Sequence, residues 1–380
     1  MKKRRIVVLG ATGSIGDSTM RVARALKNHL EIVALSGGKN ITRLIQLARE
    51  FPSALLCAGD EASARTISAE LNGRKVLHGD RGLEELSSYP DADLVLVAIV
   101  GTAGLRPSLR ALEAGKDLAV ASKEILVMAG EQVMATAQRT GCRVLPVDSE
   151  HNAIFQCLEG RAPCTVKRLI LTCSGGPFRT GSAEELSSVT PEQALRHPTW
   201  SMGRKISIDS ATLFNKGLEM IEAKWLFGIP MEKIDVVIHP QSIVHSMVEF
   251  VDGSIIAQLS STDMALPIQF ALTYPERLEG PCAPLDLALL GRLDFEAPRP
   301  DLFPALELAR QAGSHGGTLP AVLNAANETA VEAFLDGQLS FPGIWEYVAH
   351  AMKSVPFIGH PTLDELVAAD RAARRVIRAN

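Results

Sequence analysis

Short apolar runs alternate with amphipathic stretches through the first 147 residues of the chain. Apolar runs of this length are typical of parallel strands that are buried on both faces of a sheet. They cover residues 6–9, 32–35, 94–98, 118–120 and 144–145. Amphipathic windows such as 19–30 and 41–50 separate them. Because regular alternation of strands and helices indicates a doubly wound sheet, we predict a Rossmann-like domain over residues 1–147.

After residue 147 the regular alternation of strands and helices changes to a mix of short strands and helices. The predicted strands cover residues 168–172, 205–209, 235–239, 243–250 and 254–259. Asp252-Gly253 separates the last two strands and is a hairpin signal. Thr190 opens a capping box with Pro191 at the first helical position, which predicts a short helix before Pro198. We therefore expect an α+β catalytic domain over residues 148–273.

The last third of the chain is proline-rich at first and then helical. Six prolines fall between residues 275 and 304, so we interpret residues 274–304 as a linker. Helices are predicted over 319–335 and 344–352, and a capping box at Thr362 and Glu365 opens a final helix that ends in Arg374, Arg375 and Arg378. Residues 305–380 are predicted to form a small helical domain, which completes an overall α/β fold.

Composition narrows the class of protein. The chain has 380 residues, 46% of them apolar and 22% charged, which is the composition of a globular protein. The formal net charge of −4 gives no reason to expect binding to nucleic acid. The six cysteines have no Cys-x-x-Cys pair, and no apolar run approaches the ~20 residues that cross a bilayer. The basic start at residues 2–5 runs directly into a short apolar strand and a glycine turn, so we expect no signal peptide. We expect a cytoplasmic protein that binds neither membranes nor nucleic acid.

A glycine-rich turn follows the first predicted strand and opens a helix. Gly10, Gly13 and Gly16 have the spacing of a dinucleotide-binding turn, in which backbone N–H groups face a pyrophosphate. The alternative is a glycine turn without a ligand. The second strand ends in small, polar and basic residues (36–40) rather than an acid, which favours NADP over NAD. Lys39 is the cation in that stretch, although a solvated surface lysine is also consistent with the sequence.

Two polar clusters are candidates for metal and anion binding. Asp148 and Glu150 follow the last strand of the first domain, and in an extended segment both carboxylates project to one side, where all-oxygen ligation suits Mg²⁺ or Mn²⁺. A solvated acidic turn is the alternative. In the second cluster Asp209 or Ser210 is predicted to cap a helix that runs toward Leu226 and carries a polar stripe. That stripe indicates either metal and anion binding or a solvated helix face, and it consists of Asn215, Lys216 and Glu219.

Two loops complete the candidate chemistry. Residues 171–179 run from a strand into Ser174 and two glycines, which can present backbone N–H groups to an anion. Residues 197–203 place Trp200 in an irregular segment between a proline and a glycine, where an indole either packs against the protein or covers a ligand.

Together these motifs resemble the 1-deoxy-D-xylulose 5-phosphate reductoisomerase family over essentially the whole chain. The motifs that carry the resemblance lie at residues 10–16, 121–124, 146–151, 174–178, 197–203, 215–219 and 239–246. The resemblance implies NADPH- and metal-dependent rearrangement and reduction of 1-deoxy-D-xylulose 5-phosphate to 2-C-methyl-D-erythritol 4-phosphate, in isoprenoid precursor synthesis. It implies Mg²⁺, Mn²⁺ or Co²⁺ as the metal, a small phosphorylated sugar as the substrate, and a homodimer.

The resemblance also implies roles for individual residues. The metal ligands would be Asp148, Glu150 and Glu219, and the catalytic residues would be Lys123, Glu150 and His151. The substrate-binding residues would be Ser149, Ser174, His197, Trp200, Met202, Ser210, Asn215, Lys216, Ser242, His245 and Met264, with Trp200 and Met202 in a mobile lid. The cofactor-binding residues would be Gly10, Thr12, Gly13, Ser14, Ile15, Gly16, Gly38, Lys39, Asn40, Ser122, Glu124 and Gly203. For His245 a partly buried structural role is an equal alternative.

Three positions depart from the family pattern. Ser122 stands where the family usually has asparagine, Cys173 where it has a glycine or alanine, and Thr262 where it has a proline. Two other functions compete with the one implied. One is an NADP-dependent dehydrogenase similar to semialdehyde dehydrogenases, with Cys173 as its nucleophile, and the other is a nucleotide-sensing regulator without catalytic activity. The retained carboxylates at 148, 150 and 219 argue against the regulator.

Overall fold

The computed structural model describes residues 3–200 and 202–376, and these divide into two compact units. The first unit comprises residues 3–125, 131–152 and 263–284, and the second comprises 126–130, 153–262 and 285–376. No helix among the described residues combines the length and the apolar character that crossing a membrane requires. The three boundaries between the four segments that the sequence suggests stay a prediction.

A parallel seven-stranded sheet forms the centre of the first unit, in the order β4-β3-β2-β1-β5-β6-β7. Its strands are β1 Arg4–Leu9, β2 Leu30–Ser36, β3 Leu55–Ala58, β4 Val76–His78, β5 Leu94–Val97, β6 Asp117–Val120 and β7 Val144–Pro146. The helices between and after them are α1 Ser14–Ala25, α2 Ile41–Glu50, α3 Glu61–Glu70, α4 Gly79–Ser87, α5 Leu105–Glu113, α6 Lys123–Thr140 and α7 Ser149–Leu158. The Rossmann-like prediction is confirmed. The strand order reverses between β1 and β5, the place where such sheets bind ligands beyond the carboxyl ends of their strands.

The second unit contains a mixed four-stranded sheet in the order β11-β10-β8-β9. The strands are β8 Val166–Cys173, β9 Ile234–Ile238, β10 Val244–Phe250 and β11 Ile255–Leu259. β10 is antiparallel to both β8 and β11, whereas β9 is parallel to β8. Gly253 has φ +87° in the turn between β10 and β11, so the predicted hairpin is confirmed.

The helices beside this sheet are α8 Ala183–Ser187, α9 Pro191–Ala194, α10 Arg204–Thr212 and α11 Phe214–Phe227. Further along the chain lie α12 Ala265–Thr273, which belongs to the first unit, and α13 Leu287–Leu290, α14 Ala305–His315, α15 Leu319–Leu335, α16 Gly343–Ser354 and α17 Leu363–Val376. The predicted capping boxes at Thr190 and Thr362 are both formed. Arg378 of the predicted final helix lies outside the described residues.

Close helix packing fixes the position of α11. A Cβ on Gly217 would lie 2.7 Å from the Cβ of Ala309 in α14, so only glycine permits this approach of the two helices. Leu218, Met220 and Ile221 are fully buried. The apolar contacts therefore hold the helix that carries the polar residues Asn215, Lys216 and Glu219.

The predicted strand over residues 205–209 is wrong, because this segment is helix α10. Ile206 and Ile208 alternate with polar residues and imitate a strand, but Lys205 and Asp209 form an ion pair of 2.6 Å at the i,i+4 spacing of a helix. The sequence suggested that Asp209 or Ser210 caps the next helix. This prediction is wrong, because both residues lie inside α10. Instead Leu213, in the left-handed conformation at φ 65°, separates α10 from α11.

Two further local expectations need correction. The amphipathic window at 19–30 predicts a helix, but α1 begins at Ser14, ends at Ala25, and gives way to β2 at Leu30. Asp148 and Glu150 are not both in an extended segment, because α7 begins at Ser149. The carbonyl of Asp148 accepts a hydrogen bond of 2.9 Å from the N–H of Asn152, so Asp148 directly precedes the helix and Glu150 lies in its first turn.

Candidate functional site

The glycine turn of the first unit is shaped by contacts between backbone atoms. Gly10 has φ +87°, and a Cβ there would lie 2.5 Å from the carbonyl oxygen of Ala98. At Gly16 a Cβ would lie 2.2 Å from the carbonyl oxygen of Ala11. Gly13 is the residue before α1, and it has no side chain that could accept hydrogen bonds from the first N–H groups of the helix. The turn therefore presents backbone N–H groups at a helix N-terminus, which is an arrangement that binds phosphates.

The end of β2 has three distinct environments. Ser36 is buried, and its Oγ accepts a hydrogen bond of 3.0 Å from the N–H of Gly10. Asn40 caps α2 by accepting from the N–H of Arg43 at 3.1 Å. Lys39 is exposed between them. Ser36 and Asn40 therefore stabilise the turn and the helix, and Lys39 supplies the positive charge at this strand end.

A buried ion pair lies within the first unit between α6 and the start of α7. Lys123 Nζ lies 2.5 Å from Asp148 Oδ2, and both side chains are less than 15% exposed. The hydroxyl of Ser122, the residue before α6, donates to the carbonyl oxygen of Ile99. A serine here makes a local backbone contact at the position where the family usually has asparagine.

The first turn of α7 places further polar groups next to Asp148. The hydroxyl of Ser149 donates to Glu150 Oε2 over 2.5 Å, and His151 is completely buried. The consecutive residues Asp148, Ser149, Glu150 and His151 thus place two carboxylates, a hydroxyl and an imidazole at the start of α7. Carboxylate oxygens are the ligands that Mg²⁺ and Mn²⁺ prefer.

Three predicted substrate residues of the second unit meet at one imidazole. His197 Nε2 lies 2.9 Å from Ser174 Oγ and 3.1 Å from Ser210 Oγ. Ser174 follows β8, His197 follows α9 and Ser210 lies in α10. Ser174 Oγ also accepts from the N–H of Gly176 at 3.2 Å. Burial lowers the pKa of His197, so the ring is neutral at physiological pH.

In the polar stripe on α11, Lys216 and Glu219 are buried and Asn215 is half-buried. Lys216 is 2% exposed and donates a hydrogen bond to Glu219 Oε2, while Asn215 Nδ2 donates to Glu219 Oε1 over 2.6 Å. The sequence left open whether this stripe is a solvated helix face, and burial excludes that alternative. Lys216 does pair with Glu219, but the pair is desolvated. Removing one partner of a buried ion pair costs far more folding free energy than removing one partner of a surface pair.

Asp209 and Asn327 form a polar contact that sequence reasoning missed. Asn327 Nδ2 in α15 donates to Asp209 Oδ1 over 2.8 Å, while Lys205 pairs with the other oxygen. Asp209 and Asn327 are both buried. This contact fixes the helix that carries Ser210. The available signal was a pair of asparagines, Asn324 and Asn327, in the otherwise apolar first half of α15, residues 319–327.

The remaining predicted residues have diverse surroundings. His245 in β10 is buried, and burial lowers its pKa to about 4. Ser242 Oγ lies 3.4 Å from Thr199 Oγ1, and Trp200 and Met202 are half-buried. Gly203, which the family resemblance assigned to the cofactor, belongs to the second unit and precedes α10. Met264 precedes α12 in the first unit.

The comparisons with known proteins agree along the whole chain. Models of 1-deoxy-D-xylulose 5-phosphate reductoisomerase match residues 6–130, and models of the C-terminal domains of that enzyme match 144–227 and 259–376. The chain is 51% identical to the 1-deoxy-D-xylulose 5-phosphate reductoisomerase of Symbiobacterium thermophilum, over 99% of this chain and 98% of the relative.

Solved structures give the same result. The reductoisomerase from Zymomonas mobilis in complex with NADPH is similar with a TM-score of 0.94 and 43% identity, covering 100% of this chain and 99% of that one. A DOX-P reductoisomerase in complex with NADPH, fosmidomycin and magnesium is similar with a TM-score of 0.94 and 42% identity, covering 99% and 98% of the two chains.

Proposed function

This chain belongs to the 1-deoxy-D-xylulose 5-phosphate reductoisomerase family, and we propose that it carries out the reaction for which the family is named. The reaction converts 1-deoxy-D-xylulose 5-phosphate to 2-C-methyl-D-erythritol 4-phosphate with NADPH and a divalent metal, in the synthesis of isoprenoid precursors. The carbon skeleton rearranges to an aldehyde, which is then reduced.

The observation that carries the proposal is the cluster of Ser174, His197 and Ser210, which gathers hydroxyl groups around a neutral imidazole in the second unit. We assign the substrate phosphate to this cluster together with Asn215 and Lys216 of α11. Hydroxyl, amide and ammonium groups supply hydrogen-bond donors, and the phosphate supplies only acceptors once it is fully ionised.

Asp148, Glu150 and Glu219 are the proposed metal ligands. Asp148 pairs with the ammonium of Lys123, and Glu219 pairs with the ammonium of Lys216. Each of these carboxylates therefore already lies beside a positive charge. Three carboxylates suit Mg²⁺, Mn²⁺ or Co²⁺. When bound, the metal supplies charge stabilisation at the substrate's neighbouring carbonyl and hydroxyl oxygens.

The same pairing supports the assignment of Lys216 to the phosphate. A buried ammonium needs an anionic partner, and Glu219 is that partner here. If Glu219 is engaged by a metal, the phosphate of the substrate becomes the compensating anion for Lys216. Lys123 and His151 are the proposed catalytic residues beside Glu150, and they would hold or move protons at the reacting carbons.

NADPH is assigned to the first unit. The glycine turn over residues 10–16 is proposed to hold the pyrophosphate, with Thr12, Ser14 and Ile15 between the glycines. Lys39 is proposed to contact the 2′-phosphate, beside Gly38 and Asn40. Ser122 and Glu124, at the start of α6, are proposed to lie near the nicotinamide. Gly203 is also assigned to the cofactor by resemblance.

Trp200 and Met202 are proposed to close over the substrate as a lid, which would exclude water from the reactive fragments. Ser149, Ser242, His245 and Met264 complete the proposed substrate contacts. All six cysteines are free thiols, which supports a reducing cytoplasmic location. We further propose a homodimer.

Steady-state assays test the activity. The protein is incubated with 1-deoxy-D-xylulose 5-phosphate, Mn²⁺ and NADPH, and cofactor oxidation is followed by absorbance while the product is identified by NMR. We expect turnover that stops with a chelator and returns with metal. Cys173→Ser is the matched variant, because a dehydrogenase that uses a cysteine nucleophile would lose its activity whereas a reductoisomerase would keep it.

A further inference from the structure

The two nitrogens of His197 have different hydrogen-bond partners. Nδ1 faces the backbone N–H of Thr199 at 3.2 Å and the backbone N–H of Trp200 at 2.9 Å. A backbone N–H can only donate, so Nδ1 must accept and carries no proton. In a neutral imidazole the proton is then on Nε2, which faces Ser174 Oγ and Ser210 Oγ.

The opposite tautomer does not fit this arrangement. If the serine hydroxyls donated to Nε2, the ring proton would lie on Nδ1 and point at two backbone N–H donors. Three donors would then meet without an acceptor, at the cost of the hydrogen bonds to Thr199 and Trp200. Because Nδ1 accepts hydrogen bonds from the backbone, Nε2 must donate toward the serine hydroxyls.

This direction also determines what Ser174 offers to a ligand. Its Oγ accepts from the N–H of Gly176 at 3.2 Å. The single Nε2 proton of His197 faces Ser174 Oγ at 2.9 Å and Ser210 Oγ at 3.1 Å, and we infer that the nearer Ser174 Oγ accepts it, which occupies both lone pairs of that oxygen. The hydroxyl proton remains for donation. A hydroxyl that can only donate is suited to bind a phosphate oxygen, which only accepts.

We propose that His197 is a positioning residue, fixed as the Nε2–H tautomer by the backbone of Thr199 and Trp200, which makes Ser174 a hydrogen-bond donor toward a phosphate group. The identity of the phosphate compound rests on the proposed function, whereas the tautomer does not. One imidazole thus connects the segment around Trp200 with the hydroxyl groups of Ser174 and Ser210.

The tautomer is measured in the full-length protein by ¹⁵N NMR of labelled histidine, without ligand, at neutral pH. A His197→Gln variant assigns the signals by their loss. We expect an unprotonated, pyridine-like Nδ1 and a protonated, pyrrole-like Nε2. A pyrrole-like Nδ1, or averaged shifts for the two nitrogens, would overturn the proposal whatever reaction the protein catalyses.

Two substitutions separate the two sides of the ring. The amide of asparagine reaches the position of Nδ1 and keeps an acceptor for Trp200, whereas the longer amide of glutamine reaches toward the serines and keeps a donor for them. We expect His197→Asn and His197→Ala to weaken binding of inorganic phosphate and to raise KM for 1-deoxy-D-xylulose 5-phosphate about tenfold. We expect His197→Gln to recover most of that loss, and to lower kcat if the segment around Trp200 is then held poorly.

The exposed His315 provides the control, since His315→Gln should change neither constant. Equal phosphate affinity and equal KM for the Asn and Gln variants would contradict the proposal, as would an unchanged KM in His197→Ala. Absence of turnover in the wild type would refute the proposed function alone, because the phosphate affinities and the NMR signals would still decide the role of His197. The NMR measurement also decides it if a variant fails to fold.

Discussion

Two candidate anion-binding regions of the molecule differ in the groups that would bind the anion. One is the glycine turn, and the other is the phosphate cluster of the second unit, formed by Ser174, His197, Ser210, Asn215 and Lys216. The turn at residues 10–16 uses backbone N–H groups, and its shape depends on the absence of Cβ atoms at Gly10 and Gly16. The cluster in the second unit uses side chains, including the half-buried imidazole of His197 and the buried ammonium of Lys216. We expect the turn to be insensitive to pH and intolerant of added atoms, and the cluster to be sensitive to protonation and to loss of charge.

Removal of one proposed metal ligand is the largest expected effect, because it should abolish chemistry while leaving both anion-binding regions. Glu150→Gln neutralises one of three carboxylates, and we expect kcat to fall about a thousandfold or more, which corresponds to ~4 kcal/mol of barrier. NADPH binding measured by fluorescence should stay within about twofold of wild type, a difference of ~0.4 kcal/mol. Glu159→Gln, at an exposed carboxylate after α7, should leave turnover unchanged. Full activity of Glu150→Gln at limiting metal would remove this residue from the site.

The next largest expected effect is a loss of folding stability in acid, caused by the buried His245 of the second unit. Burial lowers the pKa of His245 to about 4, below the value of about 6.5 in an unfolded chain. Between these values the unfolded state binds more protons, so the free energy of unfolding falls as the pH falls from about 6.5 to 4. The loss is on the order of 3 kcal/mol. Urea denaturation at about pH 7 and pH 5 measures this dependence.

His245→Gln should reduce the pH dependence, because glutamine does not titrate. His315→Gln, which changes an exposed histidine, should leave it as in the wild type. An identical dependence in wild type and His245→Gln would show that other groups cause the loss of stability in acid.

Sequence patterns predicted five of the seven strands in the first sheet because their signals are local, and they missed the short strands β3 and β4. Buried parallel strands are continuous apolar runs, and the turn at residues 10–16 is contiguous, so neither depends on distant parts of the chain. The helix over 319–335 was predicted with the bounds that α15 has. The segment at 205–209 was mispredicted because Ile206 and Ile208 have the alternation of a strand, while the ion pair and packing that favour α10 involve Asp209 and the distant Asn327.

The phosphate cluster was predictable as a set of residues but not as a set of contacts. The family resemblance implied roles for Ser174, His197 and Ser210. The backbone donors at Thr199 and Trp200, however, have no signature in the sequence, since every residue except proline has an N–H group. The burial of Lys216 was equally hidden, because a polar residue on a helix has the same spacing whether it faces solvent or an apolar neighbour.

Loss of the buried ammonium tests the side-chain cluster. Lys216→Gln keeps a polar group beside Glu219, and we expect kcat/KM for the phosphorylated substrate to fall tenfold to hundredfold, or ~1.5–3 kcal/mol. Lys216→Ala should also lower the free energy of unfolding, because it leaves the Glu219 carboxylate buried without its partner. Lys233→Ala, an exposed lysine of the same unit, is the control. A change of less than about twofold in kcat/KM of Lys216→Gln would place the phosphate elsewhere.

Added volume tests the glycine turn. A Cβ at residue 16 would overlap the backbone of Ala11, so Gly16→Ala must displace the turn, at a cost of about 1–3 kcal/mol in stability. We expect weaker NADPH binding, and no change in the affinity for inorganic phosphate in the second unit. Gly359→Ala is the control, because its Cβ would meet its nearest neighbour, the ring of Phe357, at an ordinary 3.7 Å. Normal NADPH affinity in Gly16→Ala would show that the turn does not position the pyrophosphate.

The smallest expected effect concerns Lys39, an exposed cation at the end of β2. Lys39 stands where an NAD-binding protein would place an acid, so the wild type should prefer NADPH to NADH. Because an exposed charge pair is worth ~0.5–1 kcal/mol, Lys39→Ala should reduce that preference only about twofold to fivefold. The ratio of kcat/KM for the two cofactors measures it, at low salt and again at high salt, where screening should shrink the difference between wild type and variant. Lys27→Ala, at an exposed lysine after α1, should not change the ratio. A much larger loss would mean that the ammonium is desolvated against the 2′-phosphate when NADPH binds, and an unchanged ratio would mean that backbone groups alone distinguish the two cofactors.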